Sequence, residues 1–298
     1  MRFPVFPSRG RDRLIVMAGK GSSMMAAPAR DRAFFDSLSQ TFARIGTESA
    51  GERILAMGRF FLGAPYGAGT LERQGPEETV IDLRRFDCFT FVETVVALVH
   101  SFYSGPAFFD RYRDILTLIR YRGGRRDGYA SRLHYFSDWL YDNERKGIIG
   151  NISRILDGQP FEKKINYMTG HPDQYPALKN RDVYRQMRDV ERRMQRRMRH
   201  YIPKAMLKNM EGRIADGDLI AFTSTTEGLD CAHVGIAVRS GRRLHLLHAS
   251  SAAGGVIVSR ETLDRYLDAN EAFSGIMVAR MAERAGGPIL KNGRIREV

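Results

Sequence analysis

Two cysteines and one tryptophan in 298 residues leave little room for several common designs. Two cysteines cannot build a disulfide framework, so a small stapled fold is excluded, and the redox compartment is not readable from them. No paired cysteine spacing of the zinc-finger kind occurs. No apolar run reaches the length of a membrane span. Internal repeats and low-complexity linkers are also missing. Acidic residues are scarce relative to basic ones, 34 against 47, and the formal net charge is +13. That balance suggests an anionic partner, yet no RNA-binding aromatic motif or clear helix-turn-helix accompanies it, so nucleic acid is not the expected one. What is present is 43% hydrophobic sequence with modest glycine and proline, enough for a sizeable core.

The most informative stretch is residues 84–102, RRFDCFTFVETVVALVHSF. Asp87 is a good N-cap for a helix, because its carboxylate can accept first-turn amide hydrogens. Cys88 then falls in the first turn, where the positive end of the helix dipole favours thiolate. Behind it, Phe91, Val92, Val95, Val96, Leu98 and Val99 cover most of the helix, with only Thr90, Glu93 and Thr94 breaking the apolar surface. Such a helix is buried on most sides. A cysteine at its mouth is either an inert core thiol or a nucleophile.

Residues 1–30 read as an unstructured leader. Arg9, Arg11 and Arg13, an apolar run at 14–18 and an Ala-Ala pair at 26–27 resemble an export signal, although Lys20 and two glycines interrupt it. The periplasm or cell envelope is the expected location, with the cytoplasm as the alternative. Residues 31–298 are expected to form a single catalytic domain, with an insertion at about 105–210. Helical spacing marks 31–60 and 109–121, Gly and Pro mark a loop at 62–70 that carries Tyr66, and 79–83 reads as a short strand. An aromatic-rich segment at 129–141 holds Tyr135 and Trp139. Residues 181–201 form an arginine-rich helix with one stripe of Val183, Met187, Val190, Met194, Met198 and Tyr201. Its basic face is either simply solvated or a contact for anionic envelope polymers. From residue 212 the pattern turns to β, with strands expected near 216–223, 231–239, 244–250, 256–259 and 274–282 and a short helix at 261–268.

Alternation places Cys231, His233, Gly235 and Ala237 on one strand face, and His248 with Leu244, Leu246 and Ser250 on one face of the next. The small Gly235 and Ala237 leave space beside His233 that a helix carrying Cys88 would fit. His233 would then take the Cys88 proton and His248 would orient the His233 ring. A zinc site from Cys88, Cys231, His233 and His248 is the rival, weakened because only Cys231 and His233 are close in sequence. No cofactor is expected.

The pattern of Pro65-Tyr66, Asp87-Cys88 opening a helix, His233-Val-Gly-Ile opening a strand and His248-Ala-Ser250 on the next resembles the NlpC-type, papain-like cell-wall hydrolases. The longer motifs at 87–93, 131–139, 165–168 and 244–250 resemble its N-acetylmuramoyl-L-alanine amidase-like branch. The resemblance spans about 45–285 and implies an α+β papain-like core with a long, mostly helical insertion. It implies Cys88 as nucleophile, His233 as base and His248 as orienter. Tyr66 beside the thiol would help the oxyanion alongside the Cys88 amide, with Asp87 and Ser250 in the same site and Tyr135 and Trp139 walling the sugar. The implied reaction is hydrolysis of the N-acetylmuramoyl–L-alanine amide of small peptidoglycan fragments (muropeptides). The alternatives are cleavage within the stem peptide and a catalytically silent protein that binds acidic polymers.

Overall fold

The computed structural model describes residues 38, 49–73, 75–102 and 108–283, and the backbone of 290–291 and 294–295. The leader and, apart from Leu38, the helical stretch before residue 49 lie outside the described residues. In chain order, α1 (Ala50–Phe60), α2 (Cys88–Phe102), α3 (Phe108–Arg120) and α4 (Phe136–Arg145) precede β1 (Ile149–Asn151) and β2 (Gln159–Pro160). Next come α5 (Tyr167–Gly170), α6 (Arg181–Gln195), β3 (His200–Pro203) and α7 (Lys204–Met210). The remainder supplies β4 (Leu219–Ser224), β5 (Cys231–Ser240), β6 (Arg243–Ser250), β7 (Gly255–Val258), α8 (Leu263–Asp268) and β8 (Phe273–Met281), then a small hairpin of β9 (Leu290–Lys291) and β10 (Arg294–Ile295).

The main sheet is antiparallel throughout, in the order β2-β3-β8-β4-β5-β6-β7, with β1 also on β8. The chain is therefore mixed α and β. Its sheet centre, β4-β5-β6, is the region whose alternating apolar residues were legible as strands. At the β5–β6 turn Gly241 takes a φ of +58°, a conformation that suits a residue without Cβ. The region 108–210 is less exclusively helical than expected, since β1, β2 and β3 come from it and join the sheet edge.

Each face of the sheet carries its own core. On one face, Val234, Ile236, Val238 and Leu247 meet Phe91, Val92, Val95 and Val96 of α2. On the other, Phe222, Ala237, Leu244 and Leu246 meet Leu263 and Leu267 of α8. Full burial of each large apolar side chain contributes roughly 1.5–3 kcal/mol, so α2 is held mainly by this packing. Within α2 even the polar positions are buried: Glu93 is 2% exposed and pairs with Arg120 of α3 at 2.7 Å.

Two further expectations change. Residues 79–83 form no strand; side chains claim the backbone here, Arg120 donating to the Val80 carbonyl and Tyr121 Oη to the carbonyl of Glu78 just before the segment. The arginine-rich helix ends at Gln195 rather than Tyr201. Arg197 turns inward to pair with buried Asp138, and the chain then extends into β3. Val183, Met187, Val190 and Met194 keep the predicted stripe, while Met198 is 80% exposed and Tyr201 lies in a strand.

Candidate active site

Cys88 is the first residue of α2, and Asp87 caps it. Asp87 Oδ1 accepts the Thr90 N–H at 2.7 Å, while Thr90 Oγ1 accepts the Asp87 N–H at 3.0 Å. This reciprocal pair fixes the first turn. Edge-on stacking of Phe86 against Phe61 and Phe91, with centroids 5.0 and 6.0 Å apart, anchors the chain just before it. Hydrogen bonding from the backbone of Val234, Phe89 and Cys88 itself favours the thiolate. Burial nevertheless pushes the thiol up to about 12, with the Asp87 carboxylate adding to the effect. The helix-dipole preference for thiolate is outweighed, because desolvation penalises the charged form more than one helix end favours it. The resting sulfur is a protonated thiol.

Tyr66 is brought to the thiol by two backbone ladders. The Tyr66 N–H donates to the Gly254 carbonyl at 2.8 Å, and Phe86 N–H donates to the Pro65 carbonyl at 3.0 Å. The loop thus bridges the β7 edge and the residue before Asp87. Gly255 is required at that edge, since a Cβ there would lie 2.8 Å from the Ala64 carbonyl oxygen. Burial, with Cys88 and Asp87 nearby, pushes the Tyr66 hydroxyl up to about 12, so it is a proton-bearing donor at neutral pH.

His233 on β5 and His248 on β6 are in direct contact, His233 Nε2 to His248 Nδ1 at 2.7 Å. The sheet arrangement behind this contact differs from simple alternation. A bulge between Phe222 and Thr223 pairs Phe222 with His233 but Thr223 with Cys231. Cys231 therefore packs with the α2 side, whereas His233 lies with Phe222 on the other. The space beside His233 is also filled differently. α2 sits on the Val234, Ile236 and Val238 face. A Cβ on Gly235 would come within 2.7 Å of Leu246 Cδ1 and 3.0 Å of His248 Cβ, so its small size admits His248 rather than the helix. The Cys88 sulfur meets this strand through the main chain of Val234, next to His233. Burial lowers His233 to about 3, with His248 adding to it, and lowers His248 to about 4. Both rings are neutral at neutral pH. Among the described residues no three His, Cys, Asp or Glu side chains converge as metal ligands.

A cavity of about 210 Å³ opens beside the start of α2, lined by Asp87, Phe89 and Glu93 and, from the opposite wall, by Arg132, His134 and Tyr135. Tyr135 is one of the lining residues. Its hydroxyl is committed elsewhere, donating to Glu191 at 2.7 Å and accepting the Met168 N–H at 2.8 Å. That bond holds α5, which supplies Met168 to the same wall. Trp139 does not reach the cavity. It is fully buried, stacked on Phe136 at 5.1 Å and edge-on to Phe89, so it props the wall from behind. Ser250 accepts the Ala253 N–H at 3.1 Å and closes the turn into β7. The Glu93–Arg120 pair lines the cavity too and escaped notice as a site element. The signal was present, since a carboxylate inside a buried helix requires a buried partner. Tyr266, Phe222 and Phe273, which surround the histidines, were also missed. Their proximity arises across strands and leaves no local motif.

The chain matches the N-acetylmuramoyl-L-alanine amidase-like family over residues 56–276. It is similar to the crystal structure of an N-acetylmuramoyl-L-alanine amidase from Bacteroides uniformis, at 39% identity and a TM-score of 0.74, over 78% of this chain and 98% of that one. A Bacteroides fragilis protein described as a candidate xylanase is similar at 37% identity and a TM-score of 0.71, over 76% of this chain and all of that one. A Legionella pneumophila protein shares the fold alone, at 20% identity and a TM-score of 0.64, over 85% and 95% of the two chains. No curated protein matches in sequence. With the family match running from α1 to β8, through Cys88 and both histidines, the chain belongs to the N-acetylmuramoyl-L-alanine amidase-like family of cell-wall hydrolases.

Proposed function

We propose that the protein is a cysteine amidase with a papain-like, NlpC-type core that hydrolyses the amide between N-acetylmuramic acid and L-alanine in peptidoglycan fragments. The observation that carries this reading is the 2.7 Å His233–His248 contact on the strand whose main chain meets the Cys88 thiol. Family membership supports the choice of bond.

The proton positions follow from that contact. His233 is neutral, and its Nε2 is engaged by His248 Nδ1. To act as a base, His233 must leave Nδ1 bare, so its own proton sits on Nε2 and is donated to His248 Nδ1. His248 then holds its proton on Nε2. Tautomer choice through a neighbouring group is the usual way an imidazole is set for proton transfer. His233 Nδ1 takes the Cys88 proton as the sulfur attacks the lactyl carbonyl of the muramoyl group. The oxyanion meets the Cys88 N–H and the Tyr66 hydroxyl, donors held in place before the reaction. Collapse breaks the C–N bond, His233 returns its proton to the leaving L-alanine amine, and a thioester remains on Cys88. Water, deprotonated by His233, hydrolyses that thioester and releases the sugar acid. The cavity beside Asp87 and Phe89 receives one part of the fragment. We assign the reaction to the periplasm or cell envelope.

Digestion of a defined muropeptide followed by mass measurement tests this. Release of the intact peptide and the free N-acetylmuramic acid moiety is expected. A shortened peptide still attached to the sugar overturns the choice of bond, and no hydrolysis overturns the enzyme reading.

A further inference from the structure

The His233–His248 pair lies in a box of carbocyclic rings. Phe222 of β4 is 5.8 Å from His233, and Phe273 of β8 is 6.5 Å away and nearly parallel to it, at 13°. Both sit behind His233. Tyr266 of α8 is placed differently. Its centroid is 6.1 Å from His233 and 5.3 Å from His248, and its plane meets the His248 plane at 74°. Among the described residues it is the one carbocyclic ring in contact with both histidines. Leu263 and Leu267 of the same short helix are fully buried, so Tyr266 is presented from a fixed support.

His248 itself has an unmet need. It is 2% exposed, and its Nε2 is buried without a hydrogen-bond partner. The proton arrangement derived above puts the His248 proton on that atom. A buried N–H with no acceptor is costly. An edge-to-face aromatic contact is the arrangement in which an imidazole N–H meets a π face, a weak but real acceptor.

We propose that Tyr266 is a positioning residue: its ring, edge-to-face with His248, holds His248 in the Nε2–H tautomer and so keeps His233 Nδ1 bare and oriented. The hydroxyl is not needed for this role. The inference rests on the reading of His233 as base, and it acts through that residue without touching substrate. The surrounding ionisable groups are few. Cys88 of α2 lies at the neighbouring main chain, the two histidines face each other, and Asp87 and Glu261 lie one step farther out beside Cys88 and Tyr266. Exclusion of water by the rings accords with the lowered histidine values.

The test pairs ring nitrogen NMR of the histidines with steady-state kinetics on the full chain, comparing Tyr266→Phe and Tyr266→Leu. Phe keeps the π face, and Leu keeps an apolar side chain without it. With Phe, the His248 nitrogen shifts should still report the Nε2–H tautomer, with no protonation from pH 7 to pH 5 and kcat unchanged. With Leu, His248 should show mixed tautomers and take up a proton closer to the ordinary value of about 6.5. Its kcat should fall about tenfold at similar KM, as expected when a base is misaligned. A Leu variant matching wild type in tautomer and kcat overturns the proposal, as does a Phe variant that behaves like Leu. The NMR readout needs no turnover. If Cys88→Ala retained hydrolysis, the cysteine reading would fall while the role of Tyr266 at His248 would still be decided.

Discussion

The two faces of the central sheet deliver different halves of the proposed site, by different physical means. On the α2 face, a continuous apolar helix is pressed against Val234, Ile236 and Val238, and the sulfur arrives at the end of that rod. On the other face, His233 and His248 are set by a β-bulge, a small residue at Gly235 and a cluster of aromatic rings. One half depends on bulk packing, and the other on a few directional contacts. Substitutions should therefore separate the two: changes behind α2 should cost stability, and changes in the ring cluster should cost chemistry.

The largest expected effect is on rate. Cys88→Ala and His233→Ala should each lower hydrolysis by about a thousandfold or more, with fold retained, and combining them should add little, since they act as a unit. Circular dichroism and product formation on a defined muropeptide check this. On the helix side, Arg120→Met leaves the Glu93 carboxylate buried and unpaired. A loss of about 3–5 kcal/mol in denaturant unfolding is expected. Glu93→Leu together with Arg120→Met should recover most of it, and a single variant as stable as wild type would show the pair to be dispensable.

Trp139→Phe removes volume from behind the cavity wall without reaching a ligand. It should cost about 1–3 kcal/mol of stability while leaving KM unchanged. A large KM change with intact stability would put Trp139 back in contact with substrate.

The smallest effect is in pH dependence. His248 has its folded pKa lowered by burial to about 4, below its ordinary value. The unfolded chain thus binds a proton first as pH falls. The stability tied to His248 is full above pH 6.5 and declines as pH drops from there toward 4, by at most about 1.4 kcal/mol per pH unit. His248→Gln should flatten the stability profile between pH 6.5 and 5 by up to that slope. An unchanged slope would mean that His248 is not buried in its neutral form.

The contrast between the faces also marks what could be read from residues alone. The α2 helix, its Asp87 cap and strands β4 to β8 were legible, because periodicity and capping are local properties. The His233–His248 contact was legible as a hairpin juxtaposition. The bulge that separates Cys231 from His233 was not, since one extra residue in a ladder leaves no mark in a pattern of period two. Nor was the elevated Cys88 thiol, which reflects desolvation by the folded surroundings rather than helix position. The resemblance implied Trp139 in the sugar wall, and only its packing against Phe136 and Phe89 reveals it as a buried prop.

The most direct test of the central claim is the mass of the covalent intermediate. The enzyme should be mixed with a defined muropeptide, quenched in acid within the first turnover, digested and weighed. A thioester on the Cys88 peptide is expected, with an added mass equal to that of the muramoyl moiety without stem peptide. An adduct that carries stem-peptide residues, or one on any residue other than Cys88, would contradict it.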